Sequence, residues 1–201
     1  MKKIVCWVVF LYAHTVVAGP SELLQDKLNA LRTMSARFSQ TVKAHHREVS
    51  RSSGEMALAR PGRFRWHTKK PMEQVVIADG KRLWVYDVEL EQVTVQKQEK
   101  SVGGTAGLFL SGYNDRVAHD FDVTVQVSGL RTSFDLSAES SKAPFQRVTL
   151  VFEGSALRDM VLHDQLGQVT EIALKDIQTN PKLKASLFQF KPPRGVDVVE
   201  Q

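Results

Sequence analysis

The chain has 201 residues, 42% of them hydrophobic, with 27 Lys and Arg against 22 Asp and Glu for a formal charge of +5. That length fits one domain able to bury its own core, and the charge excess is too small for a nucleic-acid binder, whose basic residues gather in a dense stripe. A single cysteine, Cys6, excludes an internal disulfide framework.

The first residues carry a secretory pattern. Lys2 and Lys3 precede an apolar run over residues 4–11, extended less cleanly to residue 17, and Val16-Val17-Ala18 supplies the modest side chains a signal peptidase inspects. Residues 1–18 are expected to be a cleaved signal peptide, with cleavage before Gly19, and residues 19–201 a single domain. The alternative is a retained anchor. The run falls short of the ~20 apolar residues a membrane span needs, and His14 interrupts it. Cys6 sits inside the run, not at the cleavage point where a lipoprotein signal requires it. The exported chain would then lack cysteine, lipid and disulfide and rely on its core. Losing Lys2 and Lys3 leaves 25 basic residues against 22 acidic ones. The clusters Arg63/Arg65, Lys69-Lys70 and Lys97/Lys100 read as solvated sheet and turn positions, with steering of an acidic partner surface as the alternative.

Residues 20 to about 42 read as a helix: Leu24, Leu28, Leu31, Met34 and Phe38 recur at spacings of three and four, with Ser21 as N-cap and Glu22 in the first turn. From Gly54 the period becomes two. Residues 55–60 form a strand closed by Pro61-Gly62, and residues 63–67 alternate, with Phe64 and Trp66 on one face. Residues 73–78 and 82–87 are strands around the Asp79-Gly80 turn, and 92–98 is another. Residues 101–113, with four glycines and the apolar trio Leu108-Phe109-Leu110, read as a loop holding a short helix, which residues 116–120 extend. Strands resume over 123–127, 132–137, 146–153, 157–164 and 169–178, with Gly129, Gly154 and Gly167 at the turns, and residues 196–199 add a short one. The fold class expected is α+β, mainly β. A single antiparallel sheet of this many strands curls into a concave face that must be filled, covered or left as a cavity.

From Arg60 onward a longer pattern is recognisable. Arg60-Pro61-Gly62-Arg63-Phe64-Arg65-Trp66, Pro71, Asp79-Gly80-Lys81-Arg82-Leu83-Trp84-Val85-Tyr86 and Gln92-Val93-Thr94 together resemble the LolA family of outer-membrane lipoprotein carriers. Phe38-Ser39-Gln40, Gly54, Asp164-Gln165-Leu166-Gly167-Gln168 and the segment from Phe188 to Val196 fit the same family. The resemblance implies a curved antiparallel sheet forming an incomplete barrel, covered by a helical lid over an apolar cavity. It implies a periplasmic chaperone of a Gram-negative bacterium, without cofactor. Such a carrier takes lipoproteins from an inner-membrane ABC-type release complex to the outer-membrane receptor LolB, holding their acyl chains in the cavity. The family's arginine, matched by Arg60, latches the lid. LolB is itself a lipoprotein, so Gly19 in place of a cleavage-site cysteine favours the soluble carrier, expected as a monomer. Two positions depart from the pattern. Gly103-Gly104-Thr105-Ala106-Gly107 lacks a proline after Thr105, and Ala57 stands where a larger aromatic side chain is expected.

The candidate acyl-chain wall is Met56, Leu58, Phe64, Trp66, Leu108, Phe109 and Leu110. On the residues alone the four sheet positions read as ordinary core; the resemblance reverses that preference and favours the wall. Trp84 and Tyr86 share one strand face and Leu83 and Val85 the other, with the inward pair undecided. Arg60 shares a face with Met56 and Leu58, so its donors need acceptors if that face is dry, and carbonyls at a lid-helix C-terminus would serve. His45-His46 have no spaced partner for a metal, Ser111-Gly112 and Gly154-Ser155 lack the strand-turn-helix setting of a nucleophile elbow, and the carboxylates are scattered. No enzyme is expected. The alternatives are a carrier or sensor of another amphiphile, such as a glycolipid, or a periplasmic regulatory or scaffold domain.

Overall fold

Gly19, not Ser21, caps the first helix. In the computed structural model, which describes residues 19–98, 106–112, 121–140, 143 and 145–201, the Gly19 N–H donates to Glu22 Oε2 at 3.1 Å and Pro20 takes the first helical position. There its missing N–H costs nothing. The expected signal peptide, residues 116–120, and residues 101–105 and 113 of the glycine-rich loop lie outside the described residues.

Helix α1 spans Pro20–Ala30 and stops well short of Phe38; strand β1 follows at Thr33–Ala44. The helix expected to reach residue 42 is therefore corrected. Met34 and Phe38 are four apart, a spacing that fits a strand face as well as a helix face, and Ala36 between them is buried too. Two long partners, β2 and β11, settle the choice by pairing along β1 on both sides. Asn180, held at φ 56°, makes the break. Its Nδ2 donates to the Ala30 carbonyl at 2.8 Å, and its Oδ1 accepts from the N–H groups of Arg32 and Thr33 at 2.9 and 3.2 Å.

The second strand also begins earlier than expected. β2 covers Arg47–Ala59, and His45 and His46, both at positive φ, form the turn between β1 and β2. The remaining strands are β3 (Arg63–Lys70), β4 (Gln74–Asp79), β5 (Arg82–Asp87), β6 (Gln92–Lys97), β7 (Phe121–Ser128), β8 (Arg131–Ala138), β9 (Phe145–Glu153), β10 (Ala156–Asp164), β11 (Val169–Thr179) and β12 (Asp197–Glu200). A second short helix, α2, occupies Ala106–Ser111, and a 3-10 turn occupies Ala185–Phe188.

All twelve strands join one sheet in the order β12-β6-β5-β4-β3-β2-β1-β11-β10-β9-β8-β7. Every neighbouring pair is antiparallel except β12 with β6. The two edge strands do not pair with each other, so the sheet stays open.

Register assigns the two faces. Met34, Leu58, Phe64, Ala78 and Leu83 lie opposite one another across β1 to β5, and Ala36, Met56, Trp66, Val76 and Val85 form the next row. These belong to the buried cluster that also takes in Leu24 and Leu28 of α1, Leu110 of α2 and the inward residues of β7 to β11. That is the inner face, and it answers the question left open for β5: Leu83 and Val85 point inward. Trp84 and Tyr86 point outward, with ring centroids 5.6 and 5.8 Å from Phe190. The C-terminal segment thus covers part of the outer face, where Phe188 packs over Ala57 and Ala59.

Gly54 sits in the inner face where no side chain fits. A Cβ there would fall onto the His67 carbonyl oxygen and 3.0 Å from the Phe38 ring. The Phe38 ring fills the place instead and stacks on Trp66, centroids 4.1 Å apart at 29°. An aromatic ring laid over a strand glycine restores the apolar cover that the glycine lacks.

Candidate functional site

The sequence-derived wall residues converge. Met56, Leu58, Phe64 and Leu110 are all buried in one cluster beneath α1 and α2, and Trp66 is half-buried against it. Leu108 and Phe109 lie on α2, but their side chains are outside the described residues. The alternation of β2 and β3 places the four sheet residues on one face, and α1 is amphipathic because Leu24 and Leu28 are one turn apart. Away from the helices the same face opens: Gln40, Val42, Thr68 and Val85 are half-exposed. The face is therefore apolar, capped at one end by two helices and accessible at the other.

Arg60 stands where the caps meet the sheet. Its backbone N–H donates to the Arg32 carbonyl at 2.9 Å, fixing it immediately after β2. Its Nη1 donates at 3.1 Å to the Leu28 carbonyl, which also accepts from the C-cap N–H of Leu31, in the last turn of α1, where the helix dipole favours a cation. The rest of the guanidinium lies flat against Gly112, just past α2. A Cβ on Gly112 would stand 2.6 Å from Cζ and 2.7 Å from Nε of Arg60, and the φ of +64° is also a glycine conformation. One side chain thus touches the C-terminal ends of both covering helices.

Gly112 and Gln98 support this joint, and neither was assigned to it from the sequence. Beside Gly112, the Gly62 N–H donates to the Ser111 carbonyl at 2.8 Å, tying the end of α2 to the turn after β2. Gln98 is buried; its Nε2 donates to the Gly62 carbonyl at 2.7 Å and its Oε1 accepts from the Gly80 N–H at 3.1 Å. A buried glutamine with both ends bonded braces the turn that presents Arg60. Gly112 had a readable signal, a glycine following an apolar helix. Gln98 had none, because its partners are backbone groups distant in sequence.

The basic positions read as solvated are not all alike. Arg63 lies over the Phe188 ring at 5.8 Å, and Arg65 is half-buried on the outer face. Nearby, His67 Nε2 is 2.7 Å from Glu73 Oε1.

The family model described as outer membrane lipoprotein carrier protein LolA matches residues 29–191. The chain belongs to the LolA family. That family is one of carriers, not enzymes. Relatives extend the likeness over α1: the outer-membrane lipoprotein carrier protein of Legionella pneumophila (strain Corby) is 57% identical over the whole of both chains. The one from Dechloromonas aromatica (strain RCB) is 39% identical over 94% of this chain and 90% of its own. Among solved structures, an uncharacterized conserved protein from Thermus thermophilus is similar in fold, with a TM-score of 0.54 at 14% identity over 89% of this chain and 96% of that one. The stretch matched to LolA includes Arg60, α2 and strands β1 to β11.

Proposed function

We propose that this chain carries outer-membrane lipoproteins through the periplasm by sheltering their acyl chains between the inner sheet face and helices α1 and α2. In this reading residues 1–18 are removed on export and the carrier works as a monomer. It receives cargo from an inner-membrane ABC-type complex and surrenders it to a LolB-type receptor. The wall consists of Met56, Leu58, Phe64 and Trp66 from the sheet, with Leu108, Phe109 and Leu110 from α2.

The observation that carries this reading is the position of Arg60, joining both helix ends over an apolar face. Acyl chains contribute ~0.8 kcal/mol for each CH₂ removed from water, so the face under the helices is worth competing for. Bound chains and the helix residues Leu24, Leu28 and Leu110 cannot occupy it together. Loading opens the joint at Arg60. The charge-assisted hydrogen bonds of Arg60, worth ~1.5–3 kcal/mol each, then favour reclosure and help to expel the chains into the receptor.

Arg60→Leu tests the latch. The variant is expected to accept lipoprotein and to release it to LolB at least about tenfold more slowly, a ratio that corresponds to losing roughly one such bond. The measurement is transfer from purified loaded carrier to LolB; transfer at the wild-type rate would show that Arg60 does not govern release.

A further inference from the structure

The outer face holds a hollow, on the side of the sheet opposite the acyl-chain wall. It measures about 340 Å³ and lies where β1, β2 and β3 pass beneath the C-terminal segment. Ala57 lines it beside the place where Phe188 packs. Leu183 and the exposed Leu187 form an apolar rim, and Ser35 and Gln178 a polar one.

Arg37, Asp176, Glu55 and His67 line this hollow beside Arg65, and each of the four is matched. Arg37 pairs with Asp176, Glu55 Oε1 lies 2.5 Å from Lys69 Nζ, and His67 meets Glu73. The Arg65 side chain has neither a hydrogen bond nor an ion pair among the described residues. Burial pushes its guanidinium down from the ordinary value, and no carboxylate offsets that effect. A half-buried, unpaired guanidinium offers a planar fork of donors that fits a carboxylate.

We propose that this hollow binds an acidic side chain of a polypeptide partner, its carboxylate on Arg65 and an adjacent apolar side chain against Leu183 and Leu187. The volume is at the small end of ligand sites, enough for a short stretch of chain. A free small acid would make the Arg65 contact but bury little apolar surface, so the leucine rim favours a peptide. The site is independent of the acyl-chain reading, because it lies on the other face.

The test is a nuclear magnetic resonance titration of the purified protein with three probes: capped Leu-Glu-Leu, capped Leu-Gln-Leu and acetate. Saturable shifts at Ala57, the Arg65 Nε–H and Leu183 are expected with Leu-Glu-Leu, with Leu-Gln-Leu and acetate each about tenfold weaker or more. Arg65→Gln is expected to abolish the response. Leu187→Ala, at an exposed position that leaves the fold intact, is expected to weaken it several-fold, and Ala57→Phe to block it with Arg65 in place. The absence of saturable shifts, equal affinity for the Glu and Gln peptides, or acetate binding as tightly as Leu-Glu-Leu would each overturn the proposal.

Discussion

Two of the contacts of Arg60 differ in kind, and each can be removed alone. The bond to the Leu28 carbonyl depends on its own donors, whereas the contact with α2 depends on the missing side chain of Gly112. In Gly112→Ala the added methyl displaces the guanidinium and also meets the strain of positive φ, which costs about 1 kcal/mol. The variant is expected to stay folded and to reproduce the slow transfer of Arg60→Leu; a wild-type transfer rate would separate α2 from the latch. Gly54 answers to a different constraint. Its neighbour is a backbone carbonyl, which has no rotamer by which to yield, so Gly54→Ala is expected to destabilise the protein by ~1–3 kcal/mol and disturb the Phe38–Trp66 stack. A melting temperature matching that of the wild type would contradict that. At this scale the sequence was informative where a side chain carried a pattern. Phe64, Leu58 and Met56 follow from alternation and Arg60 from its motif, but the sequence could not reveal that the acceptor would be the Leu28 carbonyl. Nor could it show that the side chain of Arg65, adjacent to both Phe64 and Trp66 of the inner face, would stand unpaired in a hollow on the other side.

The elements were legible wherever a turn signal marked them. Strands β3 to β6 and β8 to β11 start and stop near the Gly, Pro and Asp positions that bound them in the sequence. The junction of α1 with β1 was not legible, because leucines spaced by three and four run into Met34 and Phe38 without a glycine or proline. Its stop signal is Asn180, about 150 residues away in the chain, whose side chain takes three backbone groups at the junction. Asn180→Ala leaves those groups to water and keeps an alanine at positive φ. It is expected to cost ~1–3 kcal/mol and to loosen α1 first. Hydrogen exchange checks this: faster exchange at residues 28–33 with β9 and β10 unaffected is the expected pattern, and unchanged exchange at α1 would assign the junction to other contacts.

In the whole molecule, one open sheet serves two purposes on its two faces. The inner face is apolar and covered in part by α1 and α2; the outer face is covered in part by the C-terminal segment through Phe188 and Phe190. Which face of β5 pointed inward could not be decided from alternation, since Leu83/Val85 and Trp84/Tyr86 are both apolar enough to be buried. The C-terminal segment is what allows both pairs to leave water. The same difference makes Trp66 and Trp84 a matched pair of probes, one half-buried on each face. The most direct measurement loads lipoprotein onto carriers with a photoreactive benzophenone amino acid in place of Trp66 or of Trp84, then maps the adducts by mass spectrometry. Acyl chains held on the inner face give an acyl adduct at position 66 and none at 84. An acyl adduct at 84, or none at 66 in a carrier that remains loaded, would contradict the placement of the cargo beneath α1 and α2.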